Sequence, residues 1–234
     1  MIKAVFFDWF NTLAYYYPPR EELESQALKE LGFNISAKTV SPGLYLADKY
    51  FYEENARLSI RHRSREEQMK VYAEFQRIIL KETAITPSDD LVSKLMTRML
   101  QFNTIMKFVL FNDVEINLKN LKAKNLTIGL LTNLQSEVDS VCRELGIAGN
   151  LDFTVTSGEV GADKPNPPIF LKALELAHTK ASETIHVGDQ YQNDVLGARG
   201  VGISPILLDR ANYYAEITDC PRIRSLTEIQ NFLG

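Results

Sequence analysis

From residue 113 onward, short runs of β-branched and aromatic residues alternate with segments of helical spacing, and this alternation restricts the fold more than any other feature. The runs are Ile2 to Phe7, Leu126 to Leu131, Phe153 to Thr156, Thr184 to Val187 and Ser204 to Leu208. Between the later ones lie helical patterns at Asp113 to Lys124, Ser136 to Leu145 stopped by Gly146, Pro167 to His178, and Asn193 to Arg199 stopped by Gly200. Apolar runs of this length, separated by helices, predict a parallel sheet with both faces covered: an α/β core of Rossmann-like design.

Residues 15–107 break the pattern, with no strand signal and four helical ones. Leu23, Leu28 and Leu31 end at Gly32, and Ser41-Pro42 stands in the order of an N-cap and first helical turn. Ser64 and Glu67 form a capping box ahead of Val71, Tyr72, Phe75, Ile78 and Ile79. Leu91, Val92, Leu95, Met96, Met99 and Leu100 follow a 3.6-residue period. The expected organisation is an α/β core, residues 1–14 and 108–234, with an all-helical insert over 15–107. The tracts "AYYYPP" and "FNTIMKFVLFND" would be hinges between them.

Charge and composition remove several classes of function. A formal net charge of −4 offers no bulk attraction to nucleic acid or to an anionic membrane. The longest apolar runs fall far short of the ~20 residues a membrane span requires. Two cysteines, Cys142 and Cys220, are too few for a disulfide framework and have no zinc-ligand spacing. The N-terminal "MIKAVFF" enters a strand without a signal-type apolar region, so a cytoplasmic protein is expected, as monomer or homodimer.

Ligands of open α/β sheets bind outside the carboxyl ends of the strands, so polar residues placed there come first. Asp8 follows the first run, Thr132 and Asn133 the second, and Asp189 the fourth, with Asp194 five residues on; Lys164 precedes a helix that begins with prolines. Two carboxylates meeting in one crevice repel each other unless a cation lies between them, and an oxygen-only ligand set suits Mg²⁺. A hydroxyl, an amide and an ammonium facing that ion would cradle a phosphoryl group, leaving Asp8 to attack phosphorus.

Read together, "FFDWFNTL", "IGLLTN", "ADKPNP" and "VGDQYQND" resemble, in order, the four motifs of the haloacid dehalogenase superfamily. The resemblance implies a HAD-like core and makes the helical insert its cap. It further implies Asp8 as nucleophile, Thr132 as donor to the transferring group and Lys164 as the charge that steadies both. Mg²⁺ would be held by Asp8, Asp189, Asp194 and the backbone carbonyl of Phe10, with Thr12, Asn133 and Tyr15 near the substrate. Phe10 departs from the family's phosphatases, which usually carry a second Asp there to protonate the leaving group. That role is typically worth ~10²–10⁴-fold.

The expected activity is hydrolysis of a small phosphorylated metabolite through an aspartyl-phosphate. Three other readings compete. A 2-haloacid dehalogenase also has an aromatic two residues after its nucleophile, but generally lacks the acidic pair present here in "VGDQYQND". A phosphonoacetaldehyde hydrolase-like enzyme needs a cap lysine, for which Lys49 is the only candidate. A non-catalytic binding protein would keep the metal site without the acid/base. The basic stretch with Arg57, Arg61, His62, Arg63 and Arg65 reads as a solvated turn, and His178 and His186 as structural.

Overall fold

The computed structural model describes residues 1–134 and 138–234. The expected helix start at Ser136 lies outside the described residues. The chain divides into two compact units, Met1–Tyr15 with Val109–Gly234, and Tyr16–Phe108.

The first unit is built on a six-stranded sheet in the order β5-β4-β1-β6-β7-β8. The strands are β1 (Ala4–Phe7), β4 (Thr127–Thr132), β5 (Phe153–Thr156), β6 (Thr184–Gly188), β7 (Ser204–Leu208) and β8 (Arg222–Ile223), and every neighbouring pair is parallel. Every residue of β1 and β6 is buried. This explains why they read as unbroken apolar runs, since a central parallel strand has no solvent face. Helices α5 (Val114–Ala123), α6 (Val138–Glu144), α7 (Ser157–Val160), α8 (Pro167–Ala177) and α9 (Gly197–Gly200) supply the crossovers. Because β4 and β6 flank β1 in register, with Phe7 opposite both Leu130 and Val187, the carboxyl ends of these three strands lie side by side.

The second unit holds helices α1 (Arg20–Glu30), α2 (Ala37–Arg57), α3 (Arg65–Glu82) and α4 (Asp89–Phe102) around an apolar cluster that includes Leu28, Val40, Ile79 and Leu95. Ser64 caps α3 with the expected box, its side chain accepting from Glu67 N while Glu67 reaches back. Among the described residues, no helix is long and apolar enough to cross a membrane.

Three local expectations differ from the structure. First, α2 starts at Ala37 with Ser36 as its cap, and Pro42 sits inside the helix. The buried stripe Val40, Gly43, Leu44 and Ala47 needs Val40 to be helical, which moves the start ahead of Ser41 and gives up one backbone hydrogen bond at Pro42. Second, the segments read as hinges contain β2 (Ala14–Tyr17) and β3 (Lys107–Leu110), which form a two-stranded pair. Third, the helix expected from Asn193 is a wide π-type turn over Tyr191–Leu196 that passes into α9.

Candidate active site

β1 delivers Asp8 into the space beyond the sheet, where its backbone N–H continues the ladder to the Val187 carbonyl (2.9 Å). The chain then turns sharply. Leu13 and Ala14 both donate to the Trp9 carbonyl (2.9 and 3.0 Å), and Asn11 takes a left-handed φ of 58°. β6 ends at Gly188, followed by Asp189, and the wide turn after it brings Asp194 back over the strand end. A methyl group on Gly188 would overlap the Asp194 carboxylate, so the close approach requires glycine there.

Lys164 joins these elements. It is only 2 % exposed, yet its ammonium donates to Asp8 Oδ1 and to Asp194 Oδ1, each at 2.6 Å. Asn133, at the end of β4, holds the Lys164 backbone from both sides: Oδ1 accepts from Lys164 N (2.7 Å) and Nδ2 donates to Lys164 O (3.1 Å). Oδ1 and one N–H of the Asn133 amide thus hold the Lys164 backbone. Behind Asp194 stands His186, fully buried, with Nε2 at 2.9 Å from Asp194 Oδ1. Burial pushes the imidazole down and so favours its neutral form, in which Nε2–H donates to the carboxylate.

Electrostatically the cluster carries more negative than positive charge, with three carboxylates against one ammonium. Burial raises the Asp8 carboxyl to about 6 despite the opposing pull of Lys164. Burial, and then the charges of Asp8 and Asp194, raise Asp189 well above the ordinary carboxylate range. Asp194 goes the other way: burial opposes its charge, but Lys164 and His186 together hold it low.

Such an excess calls for a cation, and the donor set fits one. Carboxylate oxygens of Asp8, Asp189 and Asp194 all lie within 4.8 Å of one another. Asp8 Oδ2 and Asp189 Oδ1 are buried with no hydrogen-bond partner among the described residues, a costly state for an anionic oxygen that a hard divalent ion would relieve.

The remaining sequence candidates are placed as follows. Thr132 closes β4, buried, with Oγ1 accepting from Leu134 N (3.2 Å). Thr12 is fully buried, its hydroxyl has no hydrogen-bond partner among the described residues, and its carbonyl accepts from Arg210. Tyr15 packs its ring on Phe111, centroids 4.7 Å apart. Phe10 is half-buried in the Asp8 turn. Lys49 is exposed on α2, and within the basic stretch Arg57 and Arg63 both pair with Glu54.

His186 and Arg210 escaped the sequence reading as site residues. His186 lies inside an apolar run, where it looks like core. Arg210 follows β7 on the same carboxyl edge that exposed Asp8 and Asp189, so applying the strand-end rule to the fifth run would have found it.

Residues 2–202 match the family model described as haloacid dehalogenase-like hydrolase. Among curated relatives, haloacid dehalogenase-like hydrolase domain-containing protein 3 of Danio rerio is 34% identical over 122 residues, 51% of this chain and 50% of that protein. Counterparts from cattle, mouse and human match over still smaller shares, so the matched stretch spans about half or less of these relatives' length. Ribulose-1,5-bisphosphate 5-phosphatase of Halopiger xanaduensis is 26% identical over 89% of this chain and 85% of its own. Among solved structures, the magnesium-bound putative HAD-hydrolase YfnB of Bacillus subtilis has a TM-score of 0.64 at 17% identity, covering 100% of this chain and 99% of that one.

Proposed function

This chain belongs to the haloacid dehalogenase-like hydrolase family, and on that premise we propose that it is a Mg²⁺-dependent phosphohydrolase acting on a small phosphorylated metabolite. The observation that carries the reading is the junction of Asp8, Asp189, Asp194 and Lys164 at the sheet edge, with two buried carboxylate oxygens unpartnered. A phosphoryl group needs that arrangement: a carboxylate to attack it, and positive charge to take up the charge on its oxygens.

In the proposed reaction the carboxylate of Asp8, held by Lys164 at Oδ1, attacks phosphorus. The bond from phosphorus to the leaving oxygen breaks, and water then cleaves the aspartyl-phosphate to return the carboxylate and inorganic phosphate. Lys164 fixes the rotamer of Asp8 and balances part of the phosphoryl charge, and Thr132 would donate its hydroxyl to the transferring group. Asp8, Asp189, Asp194 and the Phe10 carbonyl would hold Mg²⁺, which when bound supplies Lewis-acid stabilisation of the phosphoryl oxygens. The helical unit, inserted directly after the Asp8 turn, would act as the cap that selects substrate and excludes water.

Phe10 places no acid beside the leaving group. The enzyme is therefore expected to favour acyl and aryl phosphates, whose leaving groups depart unprotonated, by roughly 10²-fold or more over alkyl phosphates. The name of the Halopiger relative argues instead for a sugar phosphate, so the two supports point to different panels. A second reading, a binding protein that keeps the metal site without turnover, also draws on Phe10.

A panel of acyl, aryl and sugar phosphates and 2-haloacids, assayed with Mg²⁺ and with EDTA, separates these readings. Phosphate release that EDTA abolishes is the expected result. EDTA-resistant halide release would overturn it in favour of a dehalogenase, and Mg²⁺ binding without any turnover would establish the binding protein.

A further inference from the structure

Arg210 lies outside all four motifs and touches neither Asp8 nor the other acids of the site, yet it reaches the turn that carries the nucleophile. Its Nη2 donates to the Thr12 carbonyl at 2.9 Å. The same guanidinium forks onto Asp113, Nη1 to Oδ2 and Nη2 to Oδ1, both at 2.9 Å. It also lies over the Phe111 ring, 4.0 Å from the centroid. Asp113 is anchored in turn by Ser225 Oγ (2.8 Å) and Leu226 N (2.9 Å).

The contacts join on one side. Phe111 N donates to the Leu13 carbonyl (3.1 Å), beside the Thr12 carbonyl that Arg210 takes. Two successive carbonyls of the Asp8 turn are therefore held from outside it, one by a charged donor and the other by the segment on which that donor is stacked. The turn's other backbone bonds, Leu13 and Ala14 to Trp9 and Asn11 to Ala14, are internal, and the Asn11 side chain adds a hydrogen bond to Asp189 just beyond β6.

We propose that Arg210 is a positioning residue for the nucleophile turn: its planar fork, oriented by Asp113 and Phe111, pins the Thr12 carbonyl and thereby sets Asp8 and the Phe10 carbonyl relative to β6. Lysine cannot replace it fully, because one ammonium does not present a rigid fork to Asp113 and Thr12 together. A displacement of about 1 Å at a reacting group costs on the order of 10²-fold in rate. The catalytic consequence rests on the phosphohydrolase reading; the structural consequence does not.

The test exploits Trp9, the only tryptophan in the chain, buried and adjacent to Asp8. Arg210→Met and Arg210→Lys are compared with the unaltered protein by Trp9 emission and acrylamide quenching, and by kcat and KM on the best substrate of the panel. The expected result for Arg210→Met is a shifted, more quenchable Trp9 with kcat reduced ~10–100-fold and KM changed less than about threefold, Arg210→Lys falling between. A folded Arg210→Met with the emission and quenching of the unaltered protein overturns the proposal. So does a loss confined to thermal stability, or a Trp9 change with kcat intact. Should Arg210→Met not fold, Arg210→Lys is judged by the same criteria at smaller amplitude. If the unaltered protein turns over nothing in the panel, the phosphohydrolase reading fails by itself, and the Trp9 arm alone decides whether Arg210 holds the turn.

Discussion

Each unit gathers acids about a cationic side chain, Lys164 in one and Arg20 in the other, but the two clusters balance their charge differently. In the α/β unit three aspartates gather about Lys164, and two of their oxygens have no hydrogen-bond partner among the described residues. In the helical unit Arg20 takes both oxygens of Asp48 at 3.0 Å, and buried Glu24 accepts from Gln76 Nε2 at 2.9 Å. There too oxygens are left over, Glu24 Oε2 and Gln76 Oε1, but one is a carboxyl and the other an amide acceptor. A proton on Glu24 is a donor that can serve such a pair. Burial raises Glu24 to about 7, as it raises Asp8 to about 6. Excess negative charge thus asks for a metal ion in one unit, while the other can meet it with a proton. The first arrangement suits chemistry, because the neutralising group is exchangeable and charged; the second suits packing.

The contrast is broken most directly at Asp8, the proposed nucleophile. Asp8→Asn is expected to lower phosphate release at least ~10³-fold, as nucleophile substitutions do, a barrier increase of about 4 kcal/mol. Steady-state assay of the variant checks this, and residual turnover within tenfold would remove Asp8 from its proposed role.

Next in size is the pH response of the helical unit. Glu24 binds its proton more tightly when folded, so stability declines as pH rises from its ordinary 4.5 to about 7, where the buried carboxylate must ionise. Glu24→Gln keeps the bond to Gln76 and cannot ionise. It should match the unaltered protein near pH 4 and exceed it at pH 8 by up to about 3 kcal/mol. Parallel melting curves across that range would expose the opposite sign at once.

A smaller effect distinguishes the clusters in the absence of metal. Burial, and then the charges of Asp8 and Asp194, disfavour a charged Asp189, so Asp189→Asn should raise Tm in EDTA by roughly 2–4 °C, the shift that about 1 kcal/mol makes at this size, while weakening the stabilisation expected from added Mg²⁺. Asp48→Asn should lower Tm under the same conditions, because it removes the carboxylate charge that pairs with the Arg20 guanidinium. Equal signs for the two would mean that the clusters do not differ as described. Smallest is Ser64→Ala, which removes the α3 cap at a cost of about 1 kcal/mol and should leave kcat unchanged.

Much of this architecture is legible in the chain because the signals are local. The five apolar runs sit where β1, β4, β5, β6 and β7 form, and the Ser64–Glu67 box caps the helix it precedes. What escapes is also instructive. β2 and β3 are four residues each and pair with each other, too short for an alternation to register. Ser36 and Ser41 are equally good caps on paper, and the burial of Val40 decides between them.

From the sequence alone it follows that Asp8, Thr132 and Asp189 stand at the ends of parallel strands, because strand period and strand ends are written in consecutive residues. Only the tertiary structure decides how those groups are satisfied. Lys164 meets Asp8 across 156 positions of chain, and Arg210 meets Thr12 across 198. Asn133 holds the Lys164 backbone, and His186 supports Asp194. A hydrogen bond depends on an atom's position to within a few tenths of an ångström, and packing between distant segments sets that position.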